Sequence, residues 1–304
     1  MKKKKIWGKK LRYAIARRGM PFFLWLVRQA KRLGPQRLLQ FSAFLARLNF
    51  SLSQKSRERG LRHLRIAFPD KSEEELQKVF IDSLQNAAFN AIYMAMIGAG
   101  AISAKDVLKD AKAEGLEHLD AALQEGKGVI LLSGHIGNFP LMCSWLAVKG
   151  YPISVVFKDG TPSFHGFYGQ WMSGMGIEPL PFKADVEMTH AILAALRRNR
   201  MVLLIIDQTK KQTGVPILFF GKETTAAAGP AMLARRAKSP IVPVFIHREG
   251  LGHVITIEPP VELVFGRDVR GDIQHHTQLL SNIIEAQVVR HPEEWLWRYR
   301  RWRK

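Results

Sequence analysis

Cysteine is nearly absent from this sequence: Cys143 is the single one among 304 residues. One thiol excludes an intrachain disulfide and any cysteine-rich metal centre. It lies in the apolar stretch 140–147, PLMCSWLA, where a buried structural thiol is the expectation. Acidic residues are scarce too, 26 against 46 lysines and arginines, for a net charge of +20. Such an excess calls for an anionic partner or surface: nucleic acid, an anionic bilayer, a phosphorylated glycolipid or an acidic carrier protein. Zinc-finger, RNP-like and KH-like signatures are missing, so nucleic acid is not expected among the partners. Long hydrophobic runs are missing as well. The run 20–27, MPFFLWLV, falls far short of the ~20 residues of a spanning helix and is closed by Arg28, Lys31 and Arg32. The next stretch, 38–52, is interrupted by Gln40, Arg47 and Asn49. No small-residue cleavage site follows the first run, which argues against a secretory signal peptide. Apart from the lysine-rich start there is no low-complexity segment, and no internal repeat.

What is present suits a folded α/β chain. Hydrophobic residues make up 47%, enough for a large core. Residues 1–100 read as mostly helical. Ser72 followed by Glu75, with Leu76, Val79, Phe80 and Leu84 beyond at helical spacing, predicts a capped helix start. Gly98 and Gly100 predict its end. At the N-terminus, Trp7, Phe22, Phe23 and Trp25 stand among lysines and arginines. That pattern fits an amphipathic helix lying in a membrane interface. An ordinary helix packed on the protein, preceded by a solvated basic tail, fits it too.

From about residue 117 short apolar runs alternate with helical patterns. Strands are expected at 128–132, 151–157, 201–206, 240–246, 253–257 and 261–265, with a strand or bend at 177–180. Helices are expected at 138–148, 186–198, 226–237 and 271–290. This alternation predicts a mainly parallel central sheet flanked by helices, with an N-terminal helical membrane-associating region. The corresponding division is a basic amphipathic region over 1–55 and an α/β domain over 56–304. Phe219-Phe220-Gly221 reads as a loop entering the helix at 226–237, with Thr224 or Thr225 as its cap. Gly229, early in that helix, permits close approach of another backbone.

The segment 133–140, SGHIGNFP, follows one expected strand and opens the next helix. In an open α/β sheet, chemistry gathers beyond the carboxyl ends of strands. Gly134 and Gly137 allow a sharp turn and close approach by a substrate. The amides of the helix start favour anionic or carbonyl oxygen. His135 in that turn is a candidate general base for a hydroxyl. A histidine bonded into the turn for structure is the alternative. No second His, Asp or Glu stands nearby at metal-ligand spacing.

The stretch LLSGHIGNFPLM, 131–142, resembles the signature of the bacterial lipid A late acyltransferases, within the lysophospholipid acyltransferase superfamily. Other blocks agree in order: RHLRIAFP at 62–69, Asp207-Gln208 after MVLLII, VPILFFG at 215–221, TTAAAGPAMLA at 224–234, IVPVF at 241–245, HPEEWLW at 291–297 and RRW at 300–302. The resemblance covers roughly residues 55–304. It implies transfer of a fatty acyl chain from an acyl thioester, on acyl carrier protein or coenzyme A, to a hydroxyl of a lipid A precursor or related membrane glycolipid. His135 would be the base, and backbone N–H groups or a basic side chain near the turn would stabilise the oxyanion. It implies no metal and no organic cofactor, and a place at the cytoplasmic face of a bacterial inner membrane.

One position departs from that family pattern. In that family four residues separate the histidine from a Glu or Asp; here the position, the fifth after His135, is Pro140. Proline has no side chain to fix the imidazole tautomer or to offset the imidazolium. Asp207 is the candidate replacement, because it ends the strand at 201–206 and emerges beside His135 if that strand is parallel and adjacent to the first. Asp159, Asp185 and Glu187 are weaker candidates, and Asn138 could orient His135 only by a neutral bond. Candidate substrate contacts are Gly137, Asn138, Lys158, Gln208, Lys210 and Arg235, with the basic side chains set against phosphate or an acidic carrier. The tail at 295–304 interleaves indoles with positive charge, a membrane-interface pattern. An acyltransferase for a lysophospholipid or other amphiphile, and a non-catalytic lipid binder suggested by Pro140, are the competing readings.

Overall fold

The computed structural model describes residues 25–157, 167–181, 185–208 and 214–302. Trp7, Phe22 and Phe23, with the lysine-rich start, lie outside them, as do Lys158, Asp159 and Lys210.

Among the described residues, helical ones come first. Residues 25–30 are helical, a 3-10 turn spans Lys31–Leu33, and α1 runs Gly34–Leu52. Then follow α2 (Gln54–Ala67) and the long α3 (Glu73–Gly98). The start of α3 forms as its sequence predicts. The Ser72 hydroxyl accepts the Glu75 N–H, and the Glu75 carboxylate accepts the Ser72 N–H at 2.8 Å. Leu38, Ser42 and Ala46 turn the inner side of α1 into the protein. A short helix, α4 (Ala104–Asp110), leads into the α/β part.

Nine strands follow among the described residues. They are β1 (Ala111–Glu114), β2 (Val129–Ser133), β3 (Ile153–Phe157), β4 (Glu178–Pro181), β5 (Met201–Ile205), β6 (Gly214–Phe219), β7 (Lys222–Ala227), β8 (Ile241–Glu249) and β9 (Gly252–Ile257). Helices α5 (Leu116–Gln124), α6 (Phe139–Val148), α7 (Phe167–Gly174), α8 (Asp185–Arg197), α9 (Gly229–Ala237) and α10 (Val269–Arg290) lie between or after them. Seven strands form one sheet in the order β1-β9-β8-β2-β5-β3-β4. The five from β8 to β4 are parallel; β9 runs antiparallel to β8, and β1 follows β9.

β2 sits at the centre, and every one of its residues is buried. Val129 and Leu131 face one apolar layer, Ile130 and Leu132 the other. That two-sided burial is why its sequence is a continuous apolar run rather than an alternating one. Gly128 makes the entry to β2 tight: its φ is +67°, and a Cβ there would lie 2.5 Å from the Leu196 carbonyl oxygen. Cys143 is wholly buried in α6.

Three expectations fail. Thr224 and Thr225 do not cap a helix; they lie in β7, paired with Ile217 and Pro216 of β6, and Phe220-Gly221 is the turn of this hairpin. Both turn residues have positive φ, 51° and 65°, which a hairpin turn uses and a helix entry does not. Gly229 has open space where a Cβ would stand, so close backbone approach does not explain it. Residues 261–265 form no strand, although the Val261 N–H donates to the Ile241 carbonyl at 2.8 Å. The aromatic tail is a larger correction. Trp295, Trp297, Arg301 and Trp302 are all buried, packed with Phe219 and Phe220 of the hairpin instead of facing a membrane. Indole rings bury a large apolar area wherever a pocket exists, and the β6–β7 hairpin makes one here.

Candidate active site

The pair β2 and β5 builds the site. Their register sets Ser133 beside Ile205, so the chain leaves both strands at the same edge of the sheet. His135 comes two residues after β2, and Asp207 two residues after β5. The His135 Nδ1 lies 2.7 Å from Asp207 Oδ1, and the His135 main-chain N–H donates to Oδ2 at 3.1 Å. The Trp295 Nε1–H also donates to Oδ2, at 2.9 Å. Asp207 is 3% exposed and the His135 side chain 30%, so the acid is enclosed while the ring reaches solvent.

The two groups move each other's proton affinities. Burial alone would pull the His135 pKa down; the charge of Asp207 and its hydrogen bond outweigh that and raise it above the ordinary histidine value. Burial alone would raise the Asp207 pKa. The His135 charge, the ring and main-chain hydrogen bonds of His135 and the Trp295 indole together hold it below the ordinary value. With Nδ1 turned to the carboxylate, the free lone pair of a neutral His135 is on Nε2. The Gln208 side-chain amide nitrogen stands 3.2 Å from that Nε2. The Phe139 ring meets the imidazole edge-on, with centroids 5.8 Å apart.

Other expected site residues have structural occupations. Gly137 has φ +60°, and a Cβ would fall 1.9 Å from the Ile246 carbonyl oxygen of β8. Its N–H donates to the Glu294 carbonyl at 3.1 Å. Asn138 is fully buried and caps α6, its Oδ1 accepting the Leu141 N–H; it does not orient His135. Pro140 stands in the first turn of α6, where a missing N–H costs nothing. Arg235 lies near the end of α9, toward the edge where β8 begins. Its guanidinium donates to Asp272 at 2.7 Å and to the Gly266 carbonyl, and lies over the Phe265 ring. It thus lies at the sheet edge opposite the one His135 occupies. Glu187 is exposed at the start of α8. Lys158 and Lys210, as noted, fall outside the described residues. Among the described residues no three His, Cys, Asp or Glu side chains gather in a way that could hold a metal ion.

Trp295 is the site residue that sequence reasoning placed elsewhere. Its signal was the block HPEEWLW, 88 residues from Asp207 in sequence.

A mainly parallel α/β sheet with a histidine–aspartate pair at the carboxyl edge of two central strands is an arrangement able to take up and return a proton. Comparison with known proteins narrows this class. The chain belongs to the bacterial lipid A biosynthesis acyltransferase family, whose profile matches residues 1–304. It is 30% identical over 183 residues to the phosphatidylinositol mannoside acyltransferase of Mycobacterium tuberculosis, covering 60% of this chain and 56% of that protein. It thus spans little more than half the length of that relative. A lipid A biosynthesis acyltransferase of Haemophilus influenzae is 24% identical over 261 residues, covering 81% of this chain and 75% of the relative. The lipid A biosynthesis lauroyltransferase of Escherichia coli is 21% identical over 248 residues, covering 80% and 77%.

Proposed function

We propose that this chain transfers a fatty acyl group from an acyl thioester, on acyl carrier protein or coenzyme A, to a hydroxyl of a phosphate-bearing membrane glycolipid. The observation that carries the proposal is the 2.7 Å contact between His135 Nδ1 and the buried Asp207 carboxylate. The acceptor hydroxyl gives its proton to His135 Nε2 as its oxygen attacks the thioester carbonyl carbon. Asp207 offsets the imidazolium that forms. The tetrahedral intermediate then expels the thiolate, which takes the proton back from Nε2. The ester forms, the C–S bond breaks, and no covalent enzyme intermediate is needed. Gln208, 3.2 Å from Nε2, occupies the place the acceptor hydroxyl must take. It is therefore read as part of the acceptor site.

For the acceptor, a lipid A precursor is the first reading. The 30% identity to a phosphatidylinositol mannoside acyltransferase favours a second, a mannosylated phospholipid. Both are anionic amphiphiles, which suits a chain of net charge +20.

The place of action is read as the cytoplasmic face of a bacterial inner membrane, with α1 in the interface. Phe41, Phe44, Leu48 and Leu52 are exposed, with Phe44 at 60% and Leu52 at 76%. Their spacing puts them on one side of α1, beside the face that Leu38, Ser42 and Ala46 bury. The sequence carries no acidic residue before Glu58, so lipid phosphates meet no like charge there. Among the described residues no helix is long and apolar enough to cross a membrane.

The test is a comparison of membrane lipids, by mass spectrometry, from cells with the gene, without it, and with His135→Ala. A glycolipid heavier by one acyl chain with the intact gene alone supports the proposal. A mass gain confined to phospholipids lacking sugar refutes the glycolipid acceptor. A gain that survives His135→Ala refutes the base.

A further inference from the structure

We infer that Trp295 is a positioning residue for the His135–Asp207 pair, and that the C-terminal segment around it is a built part of the site. The inference rests on the reading of His135 as a base.

Asp207 has two carboxylate oxygens with distinct jobs. Oδ1 faces the imidazole. Oδ2 accepts two N–H groups, from the His135 main chain at 3.1 Å and from the Trp295 indole at 2.9 Å. A carboxylate able to rotate about its Cβ–Cγ bond would offer Nδ1 a shifting partner. Two donors converging on Oδ2 stop that rotation and leave Oδ1 aimed at the ring. Both the acid and the indole are buried, so water offers no substitute donor.

The same segment holds the other half of the pair. Trp295 forms an antiparallel bridge with Ile136, the residue after His135. Next to it the Glu294 carbonyl accepts the Gly137 N–H. The loop bearing the base and the carboxylate that steers it are thus fastened to one short stretch, 294–295. That stretch is itself fixed. The Glu294 carboxylate accepts the Arg248 N–H at 3.0 Å, the Glu293 carbonyl accepts the Asn86 side-chain amide at 2.9 Å, and the Trp295 ring packs on Phe219 and Trp297. A buried indole N–H must find an acceptor; those of Trp145, Trp297 and Trp302 take backbone carbonyls, whereas that of Trp295 takes the Asp207 carboxylate.

The inference also bears on Pro140. With no acid at that position, the steering group comes from a strand end, Asp207. That carboxylate sits 72 residues from His135 in sequence, so its aim rests on contacts such as the indole's.

The experiment is Trp295→Phe in the full chain, with Trp297→Phe as its control. Phenylalanine keeps most of the apolar contact and removes the N–H. Without that donor the carboxylate can turn away from Nδ1 and holds the imidazolium less tightly, so the His135 pKa falls toward what burial alone would set. Two readings are taken: the pH dependence of acyl transfer, and direct titration of the His135 ring by NMR. Expected for Trp295→Phe is an acid limb and a ring titration displaced to lower pH by about half a unit or more, with a several-fold lower plateau rate. The Trp297 indole donates to the Pro292 carbonyl instead, so Trp297→Phe lowers thermal stability and leaves both titrations in place. Titrations of Trp295→Phe that coincide with wild type overturn the inference, whatever happens to the rate. Should Trp295→Phe prove too unstable to assay, Trp295→His supplies a smaller ring with an N–H. Wild-type titration in that variant supports positioning by the donor, and a displaced titration overturns it. Failure of the base itself is told apart by His135→Ala: if that variant still transfers acyl groups, the base reading falls while the ring titration still tests the indole.

Discussion

Asp207→Asn removes one charge and almost no volume, so it isolates what the carboxylate does. On the proposed mechanism His135 becomes an imidazolium in the transition state, its Nδ1–H pointing at Oδ1, 2.7 Å away in the resting structure. Two unit charges ~4 Å apart at an effective dielectric of ~20 attract by about 4 kcal/mol. A charge-assisted hydrogen bond to a buried group contributes about 1.5–3 kcal/mol net. These bracket the loss at about 2–4 kcal/mol, or roughly 30- to 1000-fold in kcat, at 1.36 kcal/mol per tenfold. The carboxamide can also turn its NH2 toward Nδ1 and impose the wrong tautomer, which pushes the loss to the upper end. The pH profile carries a sign. Wild-type His135 is held above the ordinary histidine value by Asp207 against the pull of burial. Without the charge, burial is unopposed, and the acid limb of kcat/KM moves to lower pH. The assay is acyl transfer from a labelled thioester across pH, with a thermal melt to confirm folding. A variant that melts like wild type, keeps its rate within threefold and keeps its acid limb would refute the pairing, provided that His135→Ala is inactive.

Gly137→Ala is expected to destabilise by about 2–4 kcal/mol, since a positive φ combines with a Cβ placed 1.9 Å from the Ile246 carbonyl oxygen. An unchanged urea midpoint would contradict that. Glu294 is raised to about 7 by burial, so the folded state favours its protonated form. The stability this gives is present below the unfolded glutamate value of about 4.3 and is lost as pH rises through about 7. Glu294→Gln keeps an oxygen for the Arg248 N–H, and should flatten that fall and gain up to about 3 kcal/mol at pH 8; equal wild-type and variant pH slopes would count against it. Phe41 and Phe44 are exposed on α1, so Phe41→Ser with Phe44→Ser should leave the melting temperature nearly unchanged. Binding to phosphatidylglycerol vesicles should fall about tenfold or more, for a loss of ~2 kcal/mol of apolar burial; undiminished sedimentation with vesicles would remove α1 from the interface.

Much of the architecture is legible in the sequence because local rules fix it. The apolar runs at 128–132 and 201–206 read as buried strands, and Ser72 with Glu75 reads as a helix cap. A glycine-flanked histidine at a strand end marks a site before any coordinates exist, and an aspartate at another strand end offers a partner. The family follows from the order of several such blocks. The adjacency that makes the pair real is a matter of sheet order. β2 and β5 are neighbours although two strands intervene in sequence, and only tertiary packing selects that arrangement over others with the same strands. The same holds for the tail. Indoles alternating with arginines read equally well as a membrane edge, a nucleic-acid surface or a core, because side-chain type does not say what will be near. The β6–β7 hairpin, itself misread as a loop before a helix, provides the cover that buries Trp295, Trp297 and Trp302. The sequence by itself determined most of the sheet's strands, β1 excepted, and the His135 turn, and its resemblance to the family marked Pro140 as a departure. The tertiary structure decided that Asp207 stands against His135 and that Trp295 holds it there. Contacts separated by 72 and 88 residues arise from packing that no local pattern encodes.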